Sequence, residues 1–141
     1  MEFSKILVPV TGTEIDEKAM RLACRLAKKD KAKIWVVYVI TVKRSLPLDA
    51  EIESETKKAE SVLDRAQSVA DEEDYEVETD VLQAREGGLA IVDEAVEREV
   101  DLILMGVTYK RRFTQFGLGT DALYVLINAP CRVILYHEGA T

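Results

Sequence analysis

Ile34-Trp35-Val36-Val37-Tyr38-Val39-Ile40 is an unbroken apolar run dominated by β-branched residues. It is short for a buried helix and has no polar face, so it reads as a strand covered on both sides, as in a parallel sheet between helix layers. Working outward, Lys5 to Val10 (KILVPV) is a second such run, stopped by Thr11-Gly12-Thr13. Leu102 to Met105 (LILM) is a third and meets Gly106. Cys131 to Tyr136 (CRVILY) closes the set, and Tyr75 to Leu82 (YEVETDVL) alternates more. Helical periods fill the gaps. Ala19, Leu22, Ala23, Leu26 and Ala27 share one face, as do Ala59, Val62, Leu63, Ala66, Val69 and Ala70. Ile91, Val92, Ala95 and Val96 make a shorter stripe, and Leu118 to Asn128 reads as a fourth helix ended by Ala129-Pro130. Thr13, three residues before Asp16, reads as a capping-box variant at the first helix.

Strand and helix therefore alternate from end to end. Crossovers of this length demand parallel strands joined with right-handed connections, which predicts an α/β fold: an open five-stranded parallel sheet with helices on both faces. Val8, Val36, Val39, Ile103 and Leu104 are the expected centre of the core. Arg44 to Asp49, before the second helix, is the expected mobile loop.

The chain has 141 residues, 48% of them hydrophobic, which suits one domain, 1–141, with a sizeable core. Against 19 basic residues stand 26 acidic ones, a net charge of −7, and the sequence pI is near 4.8. That balance argues against a surface that grips nucleic acid or an anionic membrane. No apolar run approaches the roughly 20 residues of a membrane span. The opening Met-Glu-Phe-Ser-Lys lacks the pattern of a signal peptide, so a cytoplasmic location is expected. Two distant cysteines, Cys24 and Cys131, and one histidine, His137, give neither a zinc site nor a disulfide framework. The cysteines are expected as small buried hydrophobes.

In open parallel sheets ligands collect beyond the carboxyl ends of the strands. Here those ends are Val10-Thr11-Gly12, Val39-Ile40 and Met105-Gly106 with the segment that follows, GVTYKRRFTQFGLGT from Gly106 to Thr120. Gly119-Thr120 opens the fourth helix, where free N–H groups and the helix dipole favour an anion. Taken alone, the same glycines serve equally well as turn and helix-start signals.

These segments together resemble the universal stress protein family over nearly the whole chain. KILVPV with TGTE is similar to its opening strand and turn, and QAREGGLAIVDEAVEREVDLILMG, Gln83 to Gly106, to its third helix and fourth strand. Gly106, then the nine residues Lys110 to Leu118, then Gly119-Thr120 match the family's nucleotide motif of Gly, two residues, Gly, nine residues, Gly, Ser/Thr. Asn128 to Ile134 (NAPCRVI) resembles its last helix-to-strand join. The resemblance implies strand order 3-2-1-4-5, a stress-response role, and ATP, with Mg as companion, held by Pro9, Val10, Thr11, Val39, Met105, Gly106, Tyr109, Gly119 and Thr120.

Three departures stand out. Tyr109 replaces the middle glycine, Thr11 replaces the aspartate that contacts ribose, and Gly87-Gly88-Leu89 replaces a frequent Gly-Asp-Pro. A side chain at 109 obstructs close backbone approach, and Thr11 is a weaker acceptor than a carboxylate. Lys110, Arg111 and Arg112 read either as partners of a triphosphate or as a solvated loop, and Arg85 and Glu86 either as residues that orient the site or, more simply, as surface charge. No nucleophile with a neighbouring base and no GK[ST] phosphate loop is present, which argues against an enzyme. The two competing readings are a regulatory module that binds adenine nucleotide weakly, and a nucleotide-free stress protein acting by protein contacts. The resemblance also implies a homodimer paired through the Cys131–Tyr136 strand.

Overall fold

Strand β1 (Lys5–Pro9) lies at the centre of the sheet, with its residues from Ile6 to Pro9 buried. A computed structural model describes residues 2–108, 110–112, 115–117 and 119–138, with 110–112 and 115–117 described by backbone alone. After β1 come α1 (Ile15–Asp30), β2 (Lys33–Thr41), α2 (Glu53–Glu72), β3 (Glu78–Ala84), α3 (Gly87–Arg98) and β4 (Leu102–Gly106). Two short strands, β5 (Lys110–Arg112) and β6 (Gln115–Gly117), form an antiparallel hairpin before α4 (Thr120–Asn128) and β7 (Arg132–Tyr136).

The main sheet has five strands in the order β3-β2-β1-β4-β7, and all of its pairings are parallel. Counting only these strands, the order is the expected 3-2-1-4-5. The register sets Leu7 beside Trp35 and Ile103, and Leu104 beside Ile134.

Because side chains alternate along a strand, the sheet feeds two cores. Ile6, Val8, Ile34, Val36, Leu102 and Leu104 pack under α1 and α2. Leu7, Trp35, Val37, Ile103 and Met105 pack under α3 and α4. Val8, Val36, Ile103 and Leu104 are fully buried, as expected. Val39 is not: it is half-buried, because β2 runs on past the end of β1 to Thr41 and its last turn of neighbours is the half-buried Leu82. Cys24 is buried, and burial pushes its thiol up to about 11. Cys131 is only half-buried, since it precedes an edge strand and has helix cover on one side.

Boundaries moved where tertiary packing overrides pattern. Tyr75 and Val77 lie before β3, in the turn out of α2, and still pack on the α1/α2 core. Three helix exits use left-handed non-glycine residues, Lys31, Asp74 and Glu99, with φ of 53°, 54° and 55°. At each, the next N–H reaches back five residues, as in Ala32 to the Ala27 carbonyl at 3.0 Å, so the helix end is satisfied without glycine. The loop at Arg44–Asp49 is tethered: Gln83 Nε2 donates to the Leu48 and Ala50 carbonyls at 2.9 and 3.0 Å, and Arg85 donates to the Val42 carbonyl at 3.3 Å. Arg85 is thus a loop clamp, not simple surface charge.

Candidate functional site at the carboxyl edge of the sheet

The β1–α1 turn is built around a carboxylate. Gly12 takes φ 89°, a conformation that disfavours any side chain, and this folds the turn back over α1. Asp16, in the first turn of α1, accepts the Gly12 N–H at 2.7 Å and the Thr11 N–H at 3.2 Å. Thr13 is not the helix cap; α1 starts one residue later, after Glu14, so the Asp16 carboxylate reaches past Thr13 to the two preceding amides. Asp16 is the one charged residue among the buried ones described. Burial raises its pKa above the ordinary 3.8, against the opposing pull of the Gly12, Thr11 and Thr13 backbone amides and the Arg65 charge. A cleft of about 340 Å³ opens beside this turn, lined by Gly12, Thr13, Asp16, Lys18, Val62 and Arg65 among others.

The expected ligand-contact residues fall along the same edge, in three conditions. Pro9, Val10 and Met105 are buried. Val10 N–H is committed to the Val37 carbonyl at 2.9 Å. Thr11 is exposed, with Oγ1 3.3 Å from that of Thr13. Val39 is half-buried at the end of β2. Gly106 ends β4 with α1 directly upon it: an added Cβ would lie 2.9 Å from Ile15 Cγ2 and 3.2 Å from the Ile15 carbonyl oxygen. Helix packing alone therefore demands glycine there. Gly119 differs. It precedes α4 with φ 88°, and among the described residues a Cβ there would meet nothing within 4 Å. Thr120, the first residue of α4, is exposed beside it. Tyr109 lies outside the described residues.

Two carboxylates that hold backbone amides near this edge escaped the sequence reading. Asp16 was visible only as a capping partner. Asp121 carried no signal, because its partner is 33 positions away: its Oδ1 accepts the Gly88 N–H at 2.9 Å. Gly87 makes room for it, since a Cβ there would sit 2.5 Å from Asp121 Oδ2. The Gly87-Gly88 pair is thus explained by helix contact. His137 is exposed, with Nδ1 3.2 Å from the Val107 carbonyl oxygen. Among the described residues no group of His, Cys, Asp and Glu is arranged to hold a metal, and no helix is long and apolar enough to cross a membrane.

The sequence model of the universal stress protein family matches residues 2–137. A universal stress protein of Methanocaldococcus jannaschii is 30% identical over 139 residues, covering 94% of this chain and 81% of that protein. The solved universal stress protein of Archaeoglobus fulgidus is 25% identical with a TM-score of 0.76, covering 96% of this chain and 94% of its own. A second structure of that protein, in complex with dAMP, matches with the same identity and TM-score and covers 96% of this chain and 98% of its own.

Proposed function

The chain belongs to the universal stress protein family, and from that premise we propose that it is a cytoplasmic, single-domain, non-catalytic stress-response module that binds an adenine nucleotide weakly at the carboxyl edge of the sheet. The observation that carries this reading is Gly119: a positive-φ residue at the N-terminus of α4, just where an anion gains from free amides and the helix dipole. The dAMP bound by the Archaeoglobus fulgidus relative supports the ligand class. In this reading the Val39 backbone faces adenine, Thr11 approaches ribose, and Gly119 and Thr120 hold phosphate. Pro9, Val10, Met105 and Gly106 shape the floor. Magnesium enters only as the counter-ion of ATP, because the described residues offer no cluster of ligands for it. Binding is weak because Thr11 supplies a neutral acceptor and Tyr109 a side chain where the family motif has aspartate and glycine.

The test is the absorbance of the denatured, filtered protein, followed by a nucleotide titration of the native chain and of Thr11→Asp with Tyr109→Gly. We expect weak binding by the native chain and a gain of at least about tenfold, 1.4 kcal/mol, in the double variant. No binding by either chain would remove the nucleotide from the reading.

Protein contact is the second part of the proposal, and the exposed face of α4 favours it. Leu123, Leu126 and Ile127 are 52%, 44% and 71% exposed, beside the sheet edge formed by β7. An apolar helix face next to an unpaired strand is a surface that calls for a partner. We assign that partner as a second copy of the chain, paired through the last strand.

A further inference from the structure

We propose that Asp80 closes the β3 edge of the sheet to strand addition by a second copy of this chain. The proposal stands apart from the nucleotide reading. The main sheet has two outer strands, β3 and β7, and an outer strand leaves backbone groups that another chain can pair. The two are built differently. β7 reads Arg-Val-Ile-Leu-Tyr, and its four hydrophobic residues are half-buried. β3 reads Glu-Thr-Asp-Val-Leu-Gln-Ala, and its first four residues are exposed although β2 pairs with it along its whole length.

Asp80 is held in that strand by two contacts. Its Oδ1 accepts the Val81 N–H at 2.9 Å, so this amide finds an acceptor within its own strand. Its Oδ2 lies 3.0 Å from Arg98 Nη2 of α3. Arg98 is itself fixed, since it pairs with Glu94 one turn back and its guanidinium lies 5.2 Å from the centre of the Trp35 ring. In register Asp80 stands beside Val37, which belongs to the α3/α4 core. A strand laid outside β3 would therefore bring its own core-facing side chains against the Asp80–Arg98 pair. It would have to pull the carboxylate off the Val81 amide and take both charges out of water, a cost that pairing in solvent does not carry. Beyond Leu82, Gln83 Nε2 holds the Leu48 and Ala50 carbonyls, so the preceding loop is tied against the strand's end. What β3 offers a second copy is short and charged. A sheet open at both outer strands can grow without limit by head-to-tail pairing, whereas a single open strand closes as a two-fold pair. Asp80 confines self-association through the sheet to the other edge.

Sedimentation of the full chain over a range of concentrations tests this. The native chain should reach a mass that no longer rises with concentration. Asp80→Val removes the acceptor and the charge and leaves a strand-forming residue. It should rise past that plateau to at least about twice the native mass, the smallest step that joining two native units allows. Hydrogen exchange locates the new contact: the Val81 amide of the variant should gain protection as the variant associates. Asp80→Thr keeps the β-branching without the charge and carries the same expectation where the valine chain does not fold. A folded variant that keeps the native mass would overturn the proposal, as would added mass with no gain of protection at Val81. Native chains whose mass keeps growing, with protection gained at Val81, would overturn it too, because β3 would then be open with Asp80 in place. Nucleotide binding, or its failure, moves none of these readouts.

Discussion

Asp16 shows how much a single buried carboxylate decides. It replaces water on the amides of Thr11 and Gly12, and hydrogen bonds to a charged acceptor contribute about 1.5–3 kcal/mol each at most. Asp16→Ala should therefore lower unfolding stability by about 1.5–3 kcal/mol, since the freed amides lie in an exposed turn and can hydrate in part. The pH dependence follows from the raised pKa. The folded chain holds the Asp16 proton more tightly than the unfolded chain, whose aspartate has the ordinary value of 3.8. The protonation-linked part of its contribution is then fully present below 3.8 and is lost as pH rises through the higher folded value, while the amide bonds remain at every pH. Denaturation of both chains at acid and neutral pH should give the wider gap on the acid side. A gap that widens toward neutral pH would mean that the amide bonds outweigh burial. The spacing of Thr13 and Asp16 made a helix start legible in the sequence. The actual bond pattern was not, because it depends on a one-residue shift of the helix start and on the φ of Gly12. Asp121 was hidden for a related reason: a contact spanning 33 positions leaves no local pattern.

At the scale of elements, β7 is the exposed end of the sheet. It pairs with β4 on one side, and Val133, Ile134, Leu135 and Tyr136 stay half-buried. An antiparallel pairing of two copies about a two-fold axis satisfies the free edge and is isologous. Ile134→Lys should yield monomers in sedimentation, since it sets like charges near the axis; an unchanged dimer mass would take this strand out of the interface. The five sheet strands and four helices could be read from the chain because apolar runs and 3.6-residue stripes are local. The β5–β6 hairpin could not. Its strands, Lys110–Arg112 and Gln115–Gly117, have three residues each and no apolar alternation to mark a face. The left-handed exits at Lys31, Asp74 and Glu99 were equally silent, because glycine, the usual signal for that conformation, is absent from all three.

At the scale of the whole molecule, burial falls from the sealed middle of the sheet toward single positions at its carboxyl edge. Leu104 is fully buried in β4 under the α1/α2 layer, whereas Val39, four residues beyond the central pairing of Trp35 with Leu7, is half-buried on the opposite face. The strand order that puts β1 and β4 side by side was legible only through family resemblance, since periodicity specifies a layer and not its neighbours. Once that order exists, β2 outruns β1, leaving Val39 beyond the last β1 pairing, with Leu82 of β3 as its strand partner. Truncation should expose the gradient. Leu104→Ala removes side-chain contacts that cannot be replaced by water and should cost about 2–5 kcal/mol. Val39→Ala loses less burial and leaves a gap that solvent can enter, so it should cost less than Leu104→Ala. If the edge serves adenine through the Val39 backbone, the same Val39→Ala chain should keep its nucleotide affinity within about threefold, under 0.7 kcal/mol. Denaturant unfolding and titration of the two variants separate the quantities. A Leu104→Ala loss below about 1 kcal/mol would move that residue out of the central layer. A Val39→Ala chain of unchanged stability that no longer binds would show that the side chain, not the backbone, meets the base.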